Sequence, residues 1–592
     1  MARYRCMVCN WVYDEEKEGK KFSEQPDSYT CPNCGAPKSA FVPEGIVKGD
    51  ENITTNVADK IVEQLVSFGV KYIYGIPGDS NLPLIEAIRK SGKIKFILTR
   101  HEETAAFMAC AHGKMTDRLG VCISIAGPGS TNLITGLMDA AEDRSPVLSL
   151  LGQIPEVYLG SEAFQEIGQL ELFHPFTDSA QAIARSTQAL KLVTMAVKHA
   201  YKNPGVAALS MPTDVLVEKL DQSIFIPGMR LAKPMPGPKE DDIGRAVYLI
   251  NESKRPAIIA GWGTRHYGDT LVKLADKMKA PIATTSRAKG VINETHSLSL
   301  GVLGSLGSKH AALSIQSADL VIVIGTGFRH AHLVPSGIKM IQIDWDPMRI
   351  GRTFDIHVGI VGDAGMAMER LIAKVEMKKP DREFWDTIQK MKAAHTKEIE
   401  TEAEDFSRPI NPGYVIQALK RNITKDAIIC VDVGDHTYWF YKKFKCEGQR
   451  TFLSANIASM GFGLPAALSA KLDFPDRQVI CVAGDGGFAM LASDFTTAVR
   501  EKLAIKAIVF NDGRLKNIKK EQIRDGYPVF GVDFPNPDFA RFAISCGGDG
   551  FRVEDPKALD ATLKQAFVSP KPCIVDIIVD PEKLAPSGER FD

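Results

Sequence analysis

The sequence has no excess of either charge: Lys+Arg and Asp+Glu are both 72 in 592 residues. A nucleic-acid binder would show a basic surplus or stripe, so that class is set aside. No apolar run is long enough to span a bilayer, the N-terminus lacks the apolar core of a signal peptide, and the last residues, "APSGERFD", are too polar for an amphipathic anchor. Cysteine is sparse as well. Of the eleven, four stand as two C-x-x-C pairs, and the other seven (Cys110, Cys122, Cys430, Cys446, Cys481, Cys546, Cys573) are scattered through apolar stretches. That usage suits a reducing cytoplasm and excludes a disulfide framework. The expectation is a cytoplasmic protein with no nucleic-acid or membrane partner.

What is present is too long for one hydrophobic core. From Thr54 short apolar strands alternate with helical stretches: "YIYGIPG", "KFILTR", "GVCISIAGPG", "PVLSLLG". The pattern restarts after the Pro-rich residues 226–242, and again after "RPINPGYV". Such alternation is the signature of parallel α/β layers. The expected fold class is α/β: three parallel-sheet domains, over residues 54–225, 240–375 and 408–585, preceded by a small metal module over residues 1–45. "VPEGIVKGDEN" (42–52) reads as a polar linker between module and remainder.

In the module, Cys6, Cys9, Cys31 and Cys34 offer four thiolates. Tetrahedral sulfur ligation suits zinc or a single iron, and the spacing does not choose. The surrounding "YRCMVCNWVYD" and "CPNCGAPKSAF" resemble rubredoxin, with Tyr13, Phe22, Tyr29 and Phe41 as its small aromatic core. The resemblance implies iron, and an iron with all four positions filled by sulfur transfers electrons rather than binding substrate.

The last α/β stretch carries the most specific pattern, "GDGGFAMLASDFTTAVREKLAIKAIVFND". Gly484, Gly486 and Gly487 at a strand end let backbone amides approach a phosphate. Asp485 is a carboxylate suited to Mg²⁺. Asn511-Asp512 closes the next strand. This spacing resembles the thiamine-diphosphate motif. The resemblance implies Asp485, Asp512 and the Arg514 carbonyl as magnesium ligands, although Asp512 stands where the family usually has Asn. It also implies Glu102, in "RHEETAAF", as the carboxylate on the aminopyrimidine ring. A carboxylate favoured at a helix N-terminus is the plainer reading of that residue. Met460 in "NIASMGFGLPAA" and Ile518 would shape the cofactor, and Gly434-Asp435 ends a further strand on its side. For Met460 and Ile518 ordinary core packing is the alternative.

Over residues 54–585 the chain resembles pyruvate oxidase, with acetolactate synthase next; "GIPGDS", "AGPGSTNLITGLMDA" and "GSEAFQEIGQLELF" add to the match. In the central stretch "IIAGWG", "TSRAKGVI", "GVLGSLG", "IGTGF", "IQIDWD" and "VGD" look like FAD-binding segments. The residues implied are Gly261, Gly263, Arg287, Lys289, Gly304, Thr326, Phe328, Asp344 and Asp363. Gly-rich strand ends admit a pyrophosphate, and a strand-end carboxylate takes ribose hydroxyls, though any α/β domain carries such glycines. Gln165 and Glu521 match polar positions facing the active site, Glu521 beside the acyl-releasing nucleophile. Lys516-Asn517 departs from the Gly-Phe common in relatives, which leaves the 2-oxo acid open.

The implied activity is oxidative decarboxylation of pyruvate or a related 2-oxo acid, with electrons passing through FAD to the rubredoxin iron and on to a soluble carrier. The implied assembly is at least a homodimer, with a homotetramer expected, because the thiamine lies between two subunits. Acetolactate-type carboligation with a non-redox flavin is the competing enzyme reading. A non-catalytic electron-transfer or regulatory scaffold is the third.

Overall fold

The computed structural model describes residues 3–6, 11–44, 55–202, 204–220, 236–327 and 333–585. The chain forms two compact units, the smaller made of Met1–Thr55 with Leu220–Ser223.

In the small unit, β1 (Arg3–Cys6) pairs antiparallel with both β2 (Val12–Asp14) and β3 (Phe41–Glu44). Residues 42–44, expected to be linker, are therefore strand. Their backbone completes the second edge of β1, with Arg5 opposite Val42 and Arg3 opposite Glu44; two strands alone would make a marginal sheet. The core is aromatic. Phe22 lies 5.1 Å from Tyr13 and 5.0 Å from Phe41 between ring centres, and Tyr29 lies 5.8 Å from Tyr13. Tyr4, stacked on Phe22 at 4.4 Å, and Trp11, edge-on to Phe41 at 6.2 Å, belong to the same cluster.

Among the described residues the large unit forms three six-stranded sheets whose strand pairings are all parallel. The first comprises β4 (Tyr72–Gly75), β5 (Lys95–Leu98), β6 (Gly120–Ser124), β7 (Val147–Gln153), β8 (Ser179–Ala182) and β9 (Val206–Pro212), in the order β5-β4-β6-β7-β9-β8. The second comprises β10 (Pro256–Ala260), β11 (Ile282–Thr284), β12 (Ser299–Val302), β13 (Leu320–Ile324), β14 (Lys339–Asp344) and β15 (Val358–Val361), in the order β12-β11-β10-β13-β14-β15. The third comprises β16 (Ile428–Val431), β17 (Arg450–Leu453), β18 (Val479–Gly484), β19 (Lys506–Asn511), β20 (Asp549–Val553) and β21 (Cys573–Ile578), in the order β17-β16-β18-β19-β21-β20. Central strands such as β7, β13 and β19 are buried along their whole length. Helices cover both faces, and that is why these strands read as continuous apolar runs rather than alternating ones.

Strand order sets where ligands can enter. In the first and third sheets the chain reverses direction between the first and third strands, β4/β6 and β16/β18. In the second it reverses between β10 and β13, the order of doubly wound dinucleotide-binding sheets. Crevices open at the carboxyl ends of such neighbours. The first and third sheets meet through buried helices. Phe107, on Glu102–Thr116, packs edge-on against Phe462 at 5.8 Å, and His112 of that helix lies 2.8 Å from Asp473, at the end of Gly463–Asp473. Among the described residues no helix is long and apolar enough to cross a membrane.

Candidate active site

At the carboxyl ends of β16, β18 and β19 lies a cavity of about 200 Å³. Gly434, Asp435, Met460, Gly484, Asp485, Gly486, Gly487, Asp512, Arg514 and Ile518 all line it. The sequence expectation for this end is thus gathered in one place. Ile518 is 45% exposed, which removes the core-packing alternative for it.

The glycines are there for space. A Cβ on Gly434 or Gly484 would stand 2.9 Å from the His436 ring, and one on Gly487 would stand 2.6 Å from Asp432. Asp485 is held from all sides. Its Oδ1 accepts the Gly486 N–H at 2.7 Å, and its Oδ2 accepts the N–H groups of Asp512 (3.0 Å) and Gly513 (2.6 Å) and the Asn536 amide (2.7 Å). Burial pushes its carboxyl up while these donors pull it down. Burial raises Asp512 further, to about 7, against the pull of the Lys516 ammonium 3.0 Å away. The other Asp512 oxygen, Oδ1, is buried with no hydrogen-bond partner. The Arg514 carbonyl accepts the Lys516 N–H at 3.1 Å, while its guanidinium pairs with Asp533 and Glu582.

This donor set fits a divalent cation: hard oxygen ligands, one of them an orphaned carboxylate oxygen. It also fits a phosphate group. His436 is fully buried and held neutral, its pKa driven down to about 3 by burial, and its Nε2 lacks a partner. As the N–H tautomer it would donate to an anionic oxygen.

Two residues escaped the sequence reading, His436 in the cavity lining and Asp432 behind it. His436 follows Gly434-Asp435 at the end of β16, and only the adjacency of β16 to β18 shows that it faces Gly484. Asp432 is buried and raised to about 6 by that burial. It accepts the N–H groups of Val433 (2.7 Å), Gly461 (3.0 Å) and Gly463 (2.8 Å), and so pins the segment that carries Met460.

Glu102 and Gln165 form a second cluster and do not line the cavity. Glu102 opens the helix Glu102–Thr116, is buried, and its Oε2 accepts the Asn132 amide at 3.0 Å. Gly127 and Gly129 leave room for it. A Cβ on Gly129 would lie 3.3 Å from Glu102 Oε1, and one on Gly127 would lie 3.1 Å from the Gln165 side chain. Gln165 holds a left-handed backbone, φ 64°. Glu521 is exposed on the helix Lys516–Arg524 and also lies outside the cavity lining.

In the second sheet, Gly261 and Gly263 follow β10 and face the turn after β13. A Cβ on Gly261 would stand 2.2 Å from Thr326, and one on Gly263 would stand 2.6 Å from the Gly325 Cα. Gly261, Gly263 and Thr326 therefore share the β10/β13 crevice. Asp344 ends β14, buried, with the Asp346 N–H at 3.0 Å and its carboxyl raised by burial. Gly304 sits in a turn at φ 117°. Three residues are committed elsewhere. Arg287 donates to the Asp143 carbonyl at 2.6 Å and stacks over Trp262; Lys289 is buried against Glu294 at 2.7 Å; Asp363 caps the helix Ala364–Lys374. Phe328 lies outside the described residues.

In the small unit, Cys6, Cys31 and Cys34 bring their sulfurs within 4.8 Å of one another. Cys9 lies outside the described residues. Cys6 and Cys31 are buried and Cys34 is exposed, as in a site near a module surface.

The profile described as the thiamine pyrophosphate enzyme N-terminal TPP binding domain matches residues 55–172, the central domain 243–371 and the C-terminal TPP binding domain 432–577. The rubredoxin profile matches residues 3–41. A Bacillus subtilis protein named as thiamine pyrophosphate-containing is 36% identical over 89% of this chain and 92% of its own. An acetolactate synthase large subunit of Corynebacterium glutamicum is 31% identical over 88% and 86%. A pyruvate oxidase of Lactiplantibacillus plantarum is 29% identical over 90% of each.

Proposed function

The chain belongs to the thiamine pyrophosphate enzyme family, of pyruvate oxidase and acetolactate synthase type, with a rubredoxin domain at its start, and from that premise we propose that it oxidatively decarboxylates pyruvate or a related 2-oxo acid and passes the electrons through FAD to the rubredoxin iron. The observation that carries this reading is the joining of a thiolate metal site to a body whose central sheet has the dinucleotide-binding order. A carboligase has no use for a built-in one-electron acceptor. From the iron the electrons go to a soluble carrier.

When bound, thiamine diphosphate supplies a thiazolium ring that takes up the electron pair released as carbon dioxide leaves. Asp485, Asp512 Oδ1 and the Arg514 carbonyl would hold Mg²⁺, and His436 Nε2 would donate to the diphosphate. Met460 and Ile518 would present apolar surface to the ring system. Glu102 would share a proton with the aminopyrimidine nitrogen, and the Asn132 amide on Oε2 keeps that carboxylate oriented. Gly261, Gly263 and Thr326 would admit the pyrophosphate of FAD, with Asp344 toward its ribose. Gln165 and Glu521 would face the substrate and the acyl-releasing step.

On this reading Glu102 and Gln165, which lie outside the cavity lining of a single chain, would act on a cofactor held by a second copy. Large apolar side chains are exposed beside both clusters: Phe164 (84%) next to Gln165, and Phe530 (84%) beyond the helix that carries Ile518. Exposed apolar surface of this kind marks a contact face. A homodimer is the minimum, and a homotetramer is expected.

The test is a spectrum under argon. Pyruvate should bleach the flavin, and bleach the iron–thiolate colour no earlier. The competing carboligase reading is favoured by acetolactate synthase relatives as similar as the oxidase. Acetolactate formed with the flavin still oxidised would establish that reading and refute ours.

A further inference from the structure

Asp512 and Lys516 are the two charged departures from the thiamine-diphosphate pattern that the sequence resembles. The structure brings these two departures into one contact. Lys516 Nζ lies 3.0 Å from Asp512 Oδ2, and both side chains are almost wholly buried, 3% and 9% exposed. The ammonium also lies 3.8 Å from Asp435 and donates to the Lys583 carbonyl at 3.3 Å. Among the described residues three carboxylates line the cavity: Asp435, Asp485 and Asp512. Of its two cationic side chains, Arg514 is engaged by Asp533 and Glu582. Among the described residues, Lys516 is left as the cation whose charge acts inside. Asp512 divides its oxygens, with Oδ2 on the ammonium and Oδ1 without a partner.

We propose that Asp512 and Lys516 are one charge-compensated unit of the diphosphate pocket: the Lys516 ammonium is a built-in counter-cation that cancels the extra carboxylate and leaves its free oxygen to a divalent metal. The proposal rests on the thiamine-diphosphate reading of the cavity. The physical need is plain. A diphosphate is strongly anionic, and an uncompensated carboxylate beside it is repelled with little solvent screening. An uncompensated ammonium beside a divalent cation is repelled for the same reason. Either residue alone harms the pocket, and together they cancel.

The test is a double-mutant cycle on the full chain with Asp512→Asn, Lys516→Met and the double variant. Two binding constants are read: Mn²⁺ alone by electron paramagnetic resonance, and thiamine diphosphate by calorimetry at saturating Mg²⁺. Asp512→Asn should weaken Mn²⁺ roughly tenfold or more, because the ammonium then faces the metal unpaired. Lys516→Met should tighten Mn²⁺ alone yet weaken thiamine diphosphate roughly tenfold or more, because losing the ammonium removes its repulsion of the metal and its attraction for the diphosphate. The double variant should return both constants to within roughly threefold of the starting protein. If a single variant fails to fold by circular dichroism, the double should still fold and bind, and its failure to bind would overturn the proposal. Additive losses, or single variants indistinguishable from the parent, would overturn the pair while leaving the cofactor reading intact. An unmodified protein that binds no thiamine diphosphate would overturn both.

Discussion

Replacing Lys114 by methionine tests the junction that holds the first and third sheets together near the cavity. The ammonium lies 2.7 Å from both Asp139 and Asp143 and donates to the Leu453 carbonyl at 3.1 Å. Both aspartates have fully buried side chains. Asp139 accepts the Ser454 hydroxyl at 2.7 Å, and Asp143 accepts the backbone N–H groups of Ala455 and Asn456. The cluster therefore ties the helices Glu102–Thr116 and Ile134–Glu142 to the segment leading to Met460. Methionine keeps the length and removes the charge, which strands two buried carboxylates. Breaking a buried ion pair from one side costs about 3–5 kcal/mol. For cooperative units of 150–250 residues that lowers the melting temperature by roughly 6–20 °C. The sign with pH follows from the stranded groups. Removing the ammonium lets burial lift the already raised Asp139 carboxyl further and takes away one of the attractions that hold Asp143 below its ordinary range, so the folded variant binds more protons than the folded parent. Stability from that protonation is present at low pH and lost as pH rises, so the deficit against the parent should shrink from pH 7 to pH 5. Scanning fluorimetry of both proteins at the two pH values reads it. A fall of less than about 2 °C at pH 7, or a deficit that does not narrow at pH 5, refutes the reasoning.

Glu102→Gln should leave thiamine diphosphate binding measurable by calorimetry while turnover falls by about 10²–10⁴-fold; unchanged turnover would mean that Glu102 holds no catalytic proton. Asp432→Asn turns an amide N–H toward the Gly463 N–H and should cost about 1–3 kcal/mol in urea unfolding. Because burial raises Asp432 to about 6 from an ordinary 3.8, its contribution is full below pH 4 and lost as pH rises through 6. The variant should lack that part of the stability–pH slope. Gly261→Val places branched carbons where Thr326 already stands at 2.2 Å, so FAD content measured after gel filtration should drop while thiamine diphosphate binding persists. Cys31→Ser and Cys34→Ser should each shift and weaken the thiolate-to-iron absorption and slow electron delivery to a soluble carrier, while leaving decarboxylation with an artificial acceptor.

Local features of the chain announced a good deal of this protein. Apolar runs of strand length, broken by Gly-rich ends and helical stretches, can pack only as parallel sheets covered on both faces, and three such sheets are found. The paired C-x-x-C loops and their aromatic neighbours specify the small metal module, because ligand spacing and core residues lie within some forty positions. The interval between Gly484-Asp485-Gly486 and Asn511-Asp512 places both aspartates at one end of adjacent strands, for it spans one strand–helix–strand unit. What sequence could not show is which strands become neighbours, since pairing is decided by burial summed over the whole sheet. The adjacency of β16 and β18 puts His436 against Gly484, and Asp432 under the Met460 segment. The adjacency of β10 and β13 makes a crevice from Gly261 and Thr326, while Lys289 and Asp363, equally plausible by motif, are held by an ion pair and a helix cap. Residues 42–44 read as linker because they contain proline and open the polar stretch 42–52, yet the open edge of β1 recruits their backbone. Lys516 looked like a change facing the substrate; only the fold of the turn after β19 lays its ammonium on Asp512, because the partner of a buried charge is chosen by three-dimensional proximity in a low-dielectric interior.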